Sequence, residues 1–232
     1  MIGDHKQLRP KMENYKLSTS SNEGYNFNVS MFERLIEHQI EHGVLEVQHR
    51  MRPEISKLIK KTYPSLIDGE GTLNRLNIHG LQSNVCFIDH NECEDGINQE
   101  GQDHSIKSNQ YEVMMVMSTI KYLLQNGYVS SDIVVLTPYL GQLYAINAAL
   151  TQDRSFGGAL LSDRDEEELM KAEINQDEKE NDDDKNDDDD DKKNSNNKTS
   201  SKSKNETRIR VATVDNFQGE EAKIIVISLV RC

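Results

Sequence analysis

The sequence predicts an α/β protein built on a parallel sheet, and three observations carry that reading. The apolar runs 133–137, 209–214 and 224–230 are short, rich in β-branched residues and bounded by turn chemistry, as suits strands buried on both faces. Helical patterns over 110–126 and 142–150 sit before and after the first of them, the strand–helix order of a parallel sheet. Polar turns follow two of the strands: Pro138-Tyr139-Leu140-Gly141-Gln142, and a loop carrying Asp215, Asn216, Gln218, Gly219, Glu220 and Glu221. Strand ends are where α/β proteins place ligands, glycine lets backbone approach them, and a carboxylate accepts sugar hydroxyls.

The chain of 232 residues suits one domain with appendages. Its 35% hydrophobic and 6% aromatic content is low for a compact fold, but the deficit is local. Residues 163–206 hold 18 acidic against 9 basic side chains, most of the net charge of −13. That stretch has almost nothing to bury and is expected to be disordered, a tolerated insertion in a surface loop. The acidic balance therefore describes the insert and does not exclude a nucleic-acid partner on a local basic track. Cys86, Cys93 and Cys232 form no CxxC pair, and Cys86, His90 and Cys93 fit no common zinc spacing. No apolar stretch approaches membrane-spanning length, so a soluble, cytoplasmic or nuclear protein is expected.

Taken in order, Gly3-Asp4-His5-Lys6-Gln7-Leu8-Arg9-Pro10 reads as a strand exit, with Pro10 preventing a helix. Ser30 is placed to cap a helix from Met31, whose apolar face carries Phe32, Leu35, Ile36 and Ile40. A strand over 44–47 leads to Gln48-His49-Arg50-Met51-Arg52-Pro53, and a helix over 54–63 ends at Pro64. Residues 85–89 (VCFID) form a further expected strand. His90 and His104 follow as solvated loop histidines rather than catalysts. Ser108 or Asn109 caps the helix from Gln110, Gly127 closes it, and Val113, Val116, Met117, Ile120, Leu123 and Leu124 form its inward stripe.

Four of these segments, GDHKQLRP, QHRMRP, TPYLGQ and VDNFQGEE with its SLVR strand, together resemble the motifs of superfamily 1 helicases. The likeness is to the RNA-directed branch that includes the regulator of nonsense transcripts and senataxin, and most narrowly to NFX-type zinc-finger helicases, although no zinc finger is present. The resemblance implies a RecA-like P-loop NTPase fold that uses ATP and magnesium and acts on single-stranded RNA. Gln7 then takes the position that senses the terminal phosphate, an amide able to accept from water while donating to phosphate. Arg50 takes the position that bridges that phosphate. His49 stands where a tyrosine often stacks on adenine. Glu221, or its neighbour Glu220, binds ribose, and Gly219 passes close to the nucleotide. Thr137, Tyr139, Gln142 and Thr213 face the nucleic-acid strand.

The sequence holds no GxxxxGK[ST] loop and no DEAA-type acidic motif, so the magnesium ligands are expected outside this chain. Residues 1–45 are then expected to close a first RecA-like domain whose remainder is a partner, residues 46–162 and 207–232 to form the second domain, and residues 163–206 to interrupt it. The competing reading is a non-catalytic nucleic-acid-binding or scaffold protein that kept half of a helicase.

Overall fold

The computed structural model describes residues 1–12, 14–95, 107–153, 155–156, 158–180 and 208–231. They form two compact units: Met1–Ile78 with Ser83–Cys86, and His79–Gln82 with Phe87–Cys232. The mixed α/β fold with parallel sheets and flanking helices is the one the strand and helix patterns call for.

In the first unit, helix α1 (Met31–Glu37) starts where Ser30 accepts the Glu33 N–H at 3.1 Å, satisfying one of the orphan donors of a helix start. Strand β1 (Val47–Gln48) pairs in parallel with β2 (Ile67–Asp68), Val47 opposite Ile67. The crossover between them carries α2 (Pro53–Ile59), with proline at its first position, and α3 (Glu70–Leu73) follows. The expected strand over 44–47 is reduced to its last residue, and Leu45 lies 92% exposed. β2 and α3 have no counterpart in the sequence reading, because elements of two and four residues leave no periodicity.

The second unit contains α4 (Gln110–Gln125), β3 (Ile133–Thr137), α5 (Leu140–Gln152), β4 (Ala159–Leu160), α6 (Asp163–Glu180), β5 (Ile209–Thr213) and β6 (Ile224–Ile227). The four strands run in parallel in the order β4-β5-β3-β6. β3 is central and buried along its whole length. Val134 and Leu136 pack with Ala212 and Phe217. Helix α5 lies against β3 and β5 and buries Leu143, Ile146 and Leu150, while α4 buries Val113, Val116, Ile120 and Leu123. Each such side chain contributes about 1.5–3 kcal/mol relative to exposure.

A buried polar tie joins three chain segments. Gln142, fully buried, accepts the Asn109 N–H at 2.7 Å and donates to the Asn109 carbonyl at 3.2 Å and to Ser228 Oγ at 2.9 Å. Ser228 donates to Glu112 at 2.5 Å, and Asn109 Nδ2 donates to the Val230 carbonyl at 3.2 Å. The starts of α4 and α5 are thereby fixed to the end of β6. This corrects the expectation that Gln142 faces nucleic acid: it lies one turn before Ile146 on the inward stripe of α5, so its amide is spent inside.

Three further expectations are corrected. Residues 85–89 make no strand, and Phe87 and Ile88 lie 82% and 55% exposed. A strand requires a neighbouring ladder to satisfy its backbone, and apolar composition alone does not supply one. His90 is not a solvated loop histidine; it sits 3.2 Å from Glu112 with its ring 4.9 Å from that of Tyr111. The acidic stretch begins as helix α6 rather than as disorder, while residues 181–206 and His104 lie outside the described residues.

Replacing Gln142 by Leu should lower stability by about 1–3 kcal/mol, the cost of stranding its buried partners, measured by urea denaturation. Undiminished stability of the variant would show that this tie contributes nothing to the fold.

Candidate functional site at the strand ends

Parallel register brings two expected nucleic-acid contacts together. Thr137 ends β3 and Thr213 ends β5, and the two are direct register partners. The Val214 N–H bonds the Thr137 carbonyl at 3.1 Å, so the loop leaving β5 starts as an extension of the ladder. Thr137 is fully buried and its hydroxyl accepts the Tyr139 N–H at 3.4 Å. Tyr139 is half-buried, and Lys107 Nζ and the Arg231 guanidinium lie 5.4 Å and 5.8 Å from its ring centroid. An aromatic ring attended by cations is chemistry suited to a single strand of nucleic acid.

The loop after β5 is held by Phe217, 6% exposed, whose N–H bonds the Thr213 carbonyl at 3.1 Å. Gly219 has φ +86°, a conformation that favours glycine, and a Cβ there would meet nothing within 4 Å. The glycine is therefore demanded by the turn and leaves open space beside the backbone. Glu220 is engaged by Arg210 of β5, whose Nη2 donates to it at 2.7 Å and holds its carboxyl below the usual range. Glu221 is exposed.

Sequence reasoning missed Asp165. Its Oδ1 accepts from Thr213 Oγ1 at 2.8 Å, Thr213 N at 3.3 Å and Asn216 Nδ2 at 2.8 Å, and its Oδ2 accepts from Ser162 Oγ at 2.7 Å. Only the pattern Ser162-Asp163-Arg164-Asp165, a capping serine before an acidic first turn, marks the spot in sequence, and the low-complexity run beyond it hides that signal.

In the first unit the QHRM segment is a turn organised by Gln48. Its Oε1 accepts the N–H groups of Arg50 and Met51 at 2.9 Å and 2.7 Å, and its Nε2 donates to the Met51 carbonyl and to Asp68 at 2.6 Å and 2.7 Å. Hydrogen bonds from Gln48 and Ser56 hold the Asp68 carboxyl below its ordinary range. His49 is exposed with its ring against Gly69, where a Cβ would stand 2.4 Å from Nδ1. Arg50 is exposed on the turn. Gln7 is also exposed, and its amide donates to Asp4 at 2.9 Å. Asp4 in turn accepts from Tyr63 at 2.7 Å. Burial pushes the Asp4 carboxyl up, but hydrogen bonds from Tyr63, the Lys6 backbone and Gln7 hold it below the usual range. Gln7, His49 and Arg50 thus share one unit, while Gly219, Glu220, Glu221, Thr137, Tyr139 and Thr213 share the other.

A parallel sheet with helices packed on it and loops gathered at the carboxyl ends of its strands is compatible with a P-loop NTPase-like domain, and the family match selects that fold. A model described as an AAA domain matches residues 27–232, and the chain belongs to that family, within the superfamily 1 helicases. It is 33% identical over 232 residues to the NFX1-type zinc finger-containing protein 1 of Mus musculus, a match covering all of this chain and 9% of that protein. It is 30% identical over 232 residues to the helicase required for RNAi-mediated heterochromatin assembly 1 of Schizosaccharomyces pombe, covering all of this chain and 18% of the relative. A regulator of nonsense transcripts 1 homolog of Neurospora crassa is 26% identical over 240 residues, covering 17% of its length. The chain therefore spans less than a fifth of these relatives. Among the described residues no cluster of three or more metal-ligating side chains occurs, and no helix is long and apolar enough to cross a membrane.

Burial, the hydrogen bond to Asp4 and the nearby carboxylate raise the Tyr63 pKa from about 10 to about 12. Because folding raises it, the interaction stabilises the fold below about pH 10 and is lost as pH climbs through about 12. Ultraviolet titration of the eight tyrosines should show one late ionisation that Tyr63→Phe removes. If the late ionisation persists in the variant, the Asp4–Tyr63 bond does not form in solution.

Proposed function

We propose that this chain is the strand-gripping part of an ATP-dependent superfamily 1 helicase acting on single-stranded RNA. The observation that carries the reading is the register pairing of Thr137 with Thr213 at the carboxyl ends of β3 and β5, because it brings the turns that follow two motif threonines, far apart in sequence, to one end of the sheet. Tyr139, with Lys107 and Arg231 near its ring, offers the bases a stacking surface and the phosphates positive charge. The backbone and hydroxyl groups around Thr213 and Asn216 hydrogen-bond phosphate.

Toward ATP, the chain's own groups fit part of the task. The exposed Arg50 guanidinium has the planar fork that suits phosphate oxygens, and the Gln48 turn fixes the backbone that presents it. Gln7 has an amide that can both donate and accept, and Asp4 sets its direction. His49 offers a ring for stacking, Glu221 an acceptor for ribose hydroxyls, and Gly219 an open backbone. ATP bound with magnesium supplies the phosphoryl group and the free energy of its transfer. No residue of this chain is assigned to the magnesium.

Binding of a fluorescent oligouridylate to the 232-residue chain tests the reading. The chain should bind with an affinity that falls as salt rises, and Tyr139→Ala should weaken it by about tenfold, a stacking loss of 1–3 kcal/mol. Without a P-loop sequence the chain alone should show no ATP turnover. Absence of RNA binding, or robust turnover by the chain alone, overturns the proposal.

A further inference from the structure

We propose that Asp165 occupies the place of a backbone phosphate, so that the start of the acidic segment acts as an intramolecular competitor of the RNA strand. The inference rests on the reading of Thr213 as a strand contact and adds what fills that contact when RNA is absent.

Three donors, the Thr213 N–H, the Thr213 hydroxyl and the Asn216 side-chain amide, converge on the single oxygen Oδ1 of Asp165 at 2.8–3.3 Å. Donors focused on one oxygen at the end of a parallel strand form an anion site, and a carboxylate oxygen and a phosphodiester oxygen answer the same donors. Thr213 is 6% exposed and Asp165 fully buried, so no phosphate reaches these donors while Asp165 is seated. The exchange conserves hydrogen bonds: each donor leaves one anionic oxygen for another, while Asp165 passes to water.

The seat is narrow. Of the described side chains of α6, residues 163–171, Asp165 alone is buried, and Met170 is 60% exposed. Among these described residues the buried seat is a carboxylate, which water can receive on release. The first turn also carries Asp163 and Glu166, with Glu167 next in sequence. While α6 is docked, these carboxylates repel an approaching phosphate chain; its departure removes competitor and repulsion together.

The test is oligouridylate binding to the full chain and to Asp165→Asn, Thr213→Val and the double variant, with circular dichroism confirming folding. Asp165→Asn should bind about tenfold tighter, within the usual range of coupling between two sites, and adding Thr213→Val should abolish the gain. Unchanged or weaker binding by Asp165→Asn overturns the proposal, and so does failure of both wild type and Asp165→Asn to bind. If Thr213→Val alone weakens binding while Asp165→Asn does not tighten it, the competitor is refuted and the strand contact stands. If Asp165→Asn tightens binding but Thr213→Val has no effect in either background, the assignment of Thr213 fails instead. Should Asp165→Asn not fold, trypsin cleavage at Arg164 and Lys171 of the wild type decides: RNA should accelerate it, and unchanged or slowed cleavage overturns the proposal. Oligothymidylate and inorganic phosphate as competitors separate a site for RNA from a general anion site.

Discussion

The structure depends on the register of β3 against β5. A parallel pair has no hairpin to fix its alignment and must be set by what lies between and around the strands. Here packing on both faces of the two strands does so: Val135 meets Val211, Leu136 meets Ala212 and Thr137 meets Thr213. A slip by one residue would turn Val211 and Thr213 to the opposite face and separate the two threonines. Phe217 reinforces the alignment, because its seat beside Val134, Leu136 and Ala212 is available only when β5 ends level with β3. The loop carrying Gly219 and Glu221 is positioned by that anchor.

The two units use one physical device to hold backbone in place. In the first, Gln48 uses both ends of its amide to shape the turn that presents His49 and Arg50. In the second, Gln142 uses both ends of its amide to lock the helix starts to the end of β6. A buried or half-buried amide suits this work because it satisfies donors and acceptors without the cost of burying a charge. Asp165 is the contrasting case, a charged acceptor taken fully into the fold, and it is tolerated because four hydrogen bonds converge on it.

Much of this was legible in sequence where an element is long and its pattern strong. The strands 133–137 and 209–213, the capped helix from Gln110 and the serine-capped helix from Met31 all form, because burial on both faces or an amphipathic stripe leaves a periodic mark. The pairing of Thr137 with Thr213 was not legible, since no local pattern states which strands are neighbours. The misses share causes. Residues 85–89 have strand composition, but composition does not provide a partner ladder. The helicase-like TPYLGQ segment implied a contact at Gln142; helical phase, which puts it beside Ile146, is what decides its direction. Asp165 stayed hidden because the run of acids beyond it masks the capping pattern that marks it.

The claim that the carboxyl ends of β3 and β5 form the RNA-facing edge is tested most directly by photocrosslinking. Thiouridine-substituted single-stranded RNA would be irradiated with the chain and the adducts mapped by mass spectrometry. The account predicts adducts in the peptides that follow the two strands, at Tyr139 and around Thr213 to Gly219. Adducts confined to the opposite edge of the sheet, where β3 and β5 begin, would contradict it.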